Sequence, residues 1–194
     1  MTEYLQRMAS YNQWMNERLL VKAGELPAAE LAKDRGAFFG SILGTLNHIM
    51  VGDLFWLRRF ASNKACRETL AGLSEFPTPT TLSDILFDDF AEFTAARKQL
   101  DALILEFSAT FNEELLAENI RYRNFAGEKH HRPLEAPLQH FFNHQTHHRG
   151  QVTTLLSQAG IDPGATDLMV MLMEETDIII NILDDSEAPA LAFK

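Results

Sequence analysis

The sequence predicts an all-α fold, a four-helix bundle, on three observations. Four long stretches carry apolar residues spaced mainly three and four apart. Proline and glycine punctuation separates them. One stretch is apolar nearly all round, as a helix inside a bundle must be. The 194 residues read as a single domain over 1–194.

The first helix is expected from about Thr2 to Ala23. Leu5, Met8, Tyr11, Met15 and Leu19 form its apolar stripe, and Gly24 and Pro27 end it. A polar loop through Lys33, Asp34 and Gly36 follows. The second helix starts at Ser41, a suitable N-cap, and reaches about Ser62. This is the stretch apolar on most sides. The third is expected from Thr81 or Ser83 through Phe107, with Asp88, Glu92, Arg97 and Lys98 on its wet side. Residues 118–133 differ. Ile120-Arg121-Tyr122-Arg123 alternates and Ala126-Gly127-Glu128 turns, which predicts a short hairpin or extended loop. Pro133 and Pro137 open the fourth helix, which stops at Gly160. A C-terminal extension carries a helical stretch from Asp167 to Glu175. The apolar run Ile178–Leu183 beyond it reads equally as a strand or a packed tail.

Composition excludes several classes. No run of about 18 apolar residues exists, so no membrane span is expected. The N-terminal residues show no basic segment leading into an apolar one, so no secretory signal is expected. A lone cysteine, Cys66, rules out an internal disulfide and fits the cytoplasm. Acidic residues outnumber Lys and Arg by 27 to 17, a net charge of −10 that repels nucleic acid and anionic membranes at long range. The basic group from Arg121 to Arg132 is a local exception.

Five of the seven histidines fall between His130 and His148. On a helical wheel His148 falls within the apolar sector of the fourth helix, and His144 lies about 40° from it. His140 and His147 fall on the outer side. An i, i+4 pair of imidazoles can converge on one metal ion. It can equally be two polar residues at the core edge. A zincin protease would need a glutamate after the first histidine, where Gln145 stands. A di-iron bundle would need two Glu-x-x-His motifs on helices, and the one instance, Glu128 to His131, falls in the hairpin region. A mononuclear site needs a third ligand from another element. His48 is a candidate, with Gly44 and Gly52 one turn away on either side. Those glycines suit either open space for a ligand or simple close packing of helices.

Leu46-Asn47-His48, followed by Asn143-His144-Gln145-Thr146-His147-His148-Arg149-Gly150-Gln151, resembles the DinB family, the DinB/YfiT-like group of metal-dependent enzymes. Tyr11-Asn12-Gln13-Trp14-Met15-Asn16 is similar to that family's first helix. The resemblance spans roughly Tyr4 to Gly160. It implies an up-down-down-up bundle with one long crossover, often a homodimer, and a divalent ion held by His48, His144 and His148. Imidazole donors suit zinc or nickel. The family includes thiol-dependent S-transferases, which implies a low-molecular-weight thiol as a co-substrate.

The expected function is therefore a metal-dependent transferase or hydrolase of a small molecule. In this reading a thiol or water at an open metal position attacks an electrophile. The alternatives are a noncatalytic metal-binding or sensing protein and a purely structural dimeric bundle. Asp53 lies on the main apolar stripe of the second helix, where it must find a partner or be neutral: it pairs with an arginine or tyrosine, caps a neighbouring backbone group, or orients an imidazole. Tyr11 and Trp56 are candidate pocket residues. Arg149 and Gln151 are expected to make intramolecular contacts.

Overall fold

The computed structural model describes residues 1–124 and 126–176, with side chains through Glu174. The chain divides into two units, Met1–Pro163 and a second beginning at Gly164. The first unit contains α1 (Thr2–Ala23), α2 (Ala28–Ala32), α3 (Ile42–Ala61), α4 (Lys64–Arg67), a 3-10 turn (Ala71–Glu75), α5 (Phe90–Ala109), α6 (Glu113–Ala117), β1 (Asn119–Arg123), β2 (Lys129–Pro133) and α7 (Glu135–Gln158). The described part of the second unit holds α8 (Leu168–Thr176). The run Ile178–Leu183 lies outside the described residues. Among the described residues no helix is long and apolar enough to cross a membrane.

The long helices pack α1 on α5 and α7, and α3 on α7 and α5. Side-chain pairs set their directions. Asn16 meets Asp101 and Gln6 meets Ser108, so α1 and α5 are antiparallel. His48 meets His148 and Trp56 meets His140, so α3 and α7 are antiparallel. Asp53 meets Arg97 and Phe60 meets Phe107, so α3 and α5 are parallel. Residues 62–89 carry the chain back along the bundle between them.

The apolar stripes form the core. Leu5, Leu19, Phe60, Phe93, Phe107 and Phe141 are fully or almost fully buried, each burial stabilising the fold by about 1.5–3 kcal/mol. Ser41 caps α3, its Oγ accepting from Gly44 N at 2.9 Å. Gly160, at φ +83°, lies just beyond the end of α7.

The expected third helix begins later than its apolar pattern suggests. Residues 80–89 are turn and bend, and Asp89 caps α5 by accepting from the backbone N–H groups of Ala91 and Glu92. Asp84 instead gathers Thr80 and Thr81, accepting from both backbone N–H groups and both hydroxyls. Local side-chain acceptors thus outcompete the helix there. The hairpin takes the strand form, pairing Ile120 with Arg132 and Tyr122 with His130. Buried Ile120 seats it on the bundle.

The core also contains a polar layer. Arg97 of α5, expected on the wet side, is instead buried, because it bridges Asp53 of α3 at 2.5 Å and Asp101 at 2.8 Å. Asp101 accepts from Asn12 and Asn16 of α1. Gln145 of α7 donates to Asp53 at 2.6 Å, and Arg149 of α7 donates to Asn12. All four long helices therefore meet at seven buried polar side chains. Two Asp and two Arg balance in charge, and this pairing is what permits their burial.

Candidate metal centre

His48, His144 and His148 converge where α3 crosses α7, each offering a nitrogen within 4.8 Å of the others. They arrive by alternation on α7. Gln145 and Arg149 point into the polar layer, and the residues just before them, His144 and His148, point out of it. Gly52 makes room opposite. A Cβ there would lie 2.6 Å from His144 Cε1. Gly44 plays a different part, since a Cβ there would strike the carbonyl oxygen of Phe39. That contact brings Phe39 over the site, where its ring stacks on His48 at 3.6 Å between centroids and 15° between planes.

The outer nitrogens are committed. His48 Nδ1 lies 2.8 Å from the Leu82 carbonyl oxygen, and His148 Nδ1 lies 2.8 Å from Gln151 Oε1. Both oxygens can only accept, so each Nδ1 carries the proton. Both Nε2 atoms are then bare lone pairs, and they face each other at 3.2 Å. Neither neutral ring can donate to the other. Such opposed lone pairs call for a cation between them. The spacing suits one, because a tetrahedral zinc with Zn–N of about 2.0–2.1 Å sets its ligands about 3.3 Å apart.

Electrostatics keep the rings neutral, the form that ligates metal. Burial pushes His48 down to about 4, aided by the neighbouring His148 and opposed by the hydrogen bond to Leu82. Burial pushes His144 down to about 3, with the surrounding histidines adding to it. His148 is lowered by burial and partly restored by Gln151.

A cleft of about 540 Å³ opens beside the triad and is lined by His48 and His144 at one end. Trp56 lines it too, together with Phe55, Arg59, Leu82, Tyr122 and His140. Tyr11 is not among the lining residues. It is buried on α1 with the Arg149 guanidinium 5.4 Å from its ring centre. Asp53 also lies apart from the cleft. Its carboxylate pairs with Arg97 and Gln145, which is the arginine pairing expected for it rather than an imidazole contact. His147 is exposed, as its wheel position suggests. His140 is exposed too, where the wheel places it, and its ring packs 5.1 Å from Trp56 at the cleft wall.

The DinB family's sequence profile matches residues 1–178. The chain belongs to the DinB family. Among DinB relatives, Protein DinB of Bacillus subtilis (strain 168) is 25% identical over 183 residues, covering 91% of this chain and 99% of that protein. A crystal structure of a DinB-like protein from Bacillus cereus ATCC 10987 superposes with a TM-score of 0.51 at 20% identity, covering 78% of this chain and 89% of the other. That likeness shows the DinB fold.

Several residues around the DinB triad were not singled out for a role by the sequence. Asn47, although part of the Leu46-Asn47-His48 motif, is one. Its Oδ1 accepts from the backbone N–H groups of Leu86 and Phe87, and its Nδ2 donates to the Phe87 carbonyl. It thereby holds the segment that presents Leu82 to His48. Phe39 and Leu82 are equally silent, since each acts through a loop position that periodicity does not address.

Proposed function

We propose that this chain is a metal-dependent enzyme acting on a small molecule, of the thiol-transfer or hydrolytic type, with His48, His144 and His148 holding a divalent ion, zinc or nickel. The observation that carries this reading is the pair of bare Nε2 atoms facing each other at 3.2 Å. Three imidazoles leave an ion a position for another ligand. An ion so held lowers the pKa of a water or thiol bound to it, which supplies a nucleophile at neutral pH.

The protein's own groups do the rest. The Leu82 carbonyl and Gln151 fix the tautomers of His48 and His148, as outer partners of ligating histidines do. Phe39 covers one face of His48, and the cleft opens along the other elements, so a substrate approaches the histidines from the cleft. A ligand-sized cleft at the triad favours catalysis over a purely sensing role.

The test begins with metal analysis of the purified chain. About one zinc or nickel ion per chain is expected, and none in His148→Ala. A screen of thiol conjugation to 1-chloro-2,4-dinitrobenzene and of ester hydrolysis follows, with the metal-loaded and chelator-stripped protein side by side. Metal-dependent turnover lost in His144→Ala supports the enzyme. Metal uptake without turnover would leave a metal-binding protein, and no uptake would refute the reading.

A further inference from the structure

We propose that the cleft selects an anionic small molecule with a flat apolar body, its acidic group held by Arg59 and Arg132 and its other end at the histidine triad. The inference rests on the reading of the cleft as the substrate site and deepens it by naming the substrate's charge and shape.

The first argument is a reversal of charge. Over the whole chain acidic residues exceed Lys and Arg by 27 to 17. Along the cleft the order inverts. Arg59 comes from α3 and Arg132 from β2, and among the described lining residues there is no Asp or Glu. A protein of net charge −10 repels anions at long range. Attraction of an anion must therefore be local, and at the cleft Arg59 and Arg132 supply it.

The second argument is preorganisation. The Arg59 guanidinium sits 4.6 Å over the Trp56 ring and 5.5 Å from that of Tyr122. Those two rings meet edge to face at 5.1 Å, so the arginine is braced by a helix and the hairpin at once. A guanidinium fixed in this way offers a planar fork that matches a carboxylate or phosphate. Arg132 is exposed on β2, opposite Ile120 in register, and reaches the same cleft from the hairpin.

His130 has Glu128 at 3.9 Å. Arg59 and Arg132 are the permanent cations of the described lining. The aromatic walls supply the shape preference, since Trp56 and Tyr122 favour a flat partner. A volume of about 540 Å³ is within the range of small-molecule sites.

The test uses the full chain, stripped of metal by chelator, with 2-naphthoate and its neutral isostere 2-naphthamide as probes in equilibrium dialysis. 2-Naphthoate is expected to bind about tenfold more tightly than the amide, a difference of about 1.4 kcal/mol. Raising salt from about 50 to about 500 mM should weaken the acid and spare the amide. Arg132→Gln, at an exposed strand position, should bring the two probes within about twofold. Arg59→Gln should do the same while Arg59→Lys keeps part of the preference. Equal binding of the two probes to the wild-type chain, no binding of either at millimolar concentration, or a preference that survives both glutamine substitutions would overturn the proposal. Working without metal keeps the outcomes separate. A charge preference in a protein that takes up no ion would sink the metal reading and leave this one standing, and the converse result would do the reverse.

Discussion

Asn47 and His48 are adjacent on α3, and both grip the same returning segment. Asn47 clamps the backbone at Leu86 and Phe87 while His48 donates from Nδ1 to the carbonyl of Leu82. The motif residue whose amide is taken up by backbone groups therefore secures the surface against which the ligand is oriented. Sequence neighbours have become first and second support of one site.

Asn47→Ala removes the acceptor of two partly buried backbone N–H groups. A loss of about 2–4 kcal/mol in unfolding free energy is expected. Zinc affinity should fall by about 10–100-fold through the loosened partner of His48. Urea denaturation and a competition titration with a zinc indicator measure the two effects. Undiminished zinc affinity in a folded variant would show that Leu82 does not orient the ring.

Gly52→Ala places a methyl 2.6 Å from His144 Cε1. In an open helix this change would gain about 1 kcal/mol. Here the His144 ring must move instead. The expected result is weakened metal uptake with helical content unchanged, read by metal analysis beside circular dichroism.

Arg97→Leu leaves Asp53 and Asp101 buried without their shared cation. A destabilisation of about 3–5 kcal/mol is expected. The double variant Arg97→Leu with Asp53→Leu should recover part of it, because the stranded charge at residue 53 is gone. Thermal melts of the three proteins decide the matter.

Burial pushes the Asp101 carboxyl up to about 6, against the pull of Arg97 and Asn16. A raised folded-state pKa means the folded chain holds this proton more firmly than the unfolded chain, whose aspartate titrates near 3.9. The contribution is fully present below about pH 4 and is lost as pH rises through about 6. Wild-type stability measured against Asp101→Asn should therefore improve between pH 7 and pH 4.5. Urea midpoints of both proteins across that range provide the check, and a flat difference would mean the carboxyl is not shifted.

Helix positions were legible where packing periodicity governs. The limits of α1, α3 and α7 follow from apolar spacing, the Ser41 cap and Gly160. The start of α5 was misread because Leu82, Ile85 and Leu86 continue its apolar spacing while Asp84 folds that stretch into a turn. A carboxylate capturing nearby N–H groups leaves no periodic trace. The triad was legible as spacing plus flanking glycines. The wheel places His140 on the outer side, where it is exposed, but a direction from the core carries no trace of the cleft wall that Trp56 and the hairpin build beside it. The polar layer was legible only at Asp53, since asparagine and glutamine on a helix look the same in sequence whether they face water or a buried partner.

The two-sided wiring of α7 has an outcome for sequence drift. Positions 144 and 148 serve the site, and positions 145 and 149 serve the bundle's interior latch. No rotation or one-residue slip of this rod can preserve both. Single-residue insertions and deletions between 144 and 149 should thus be lethal to function even where the chain still folds, while exchanges at the solvent-facing positions 143, 147, 150 and 154 should pass almost unnoticed.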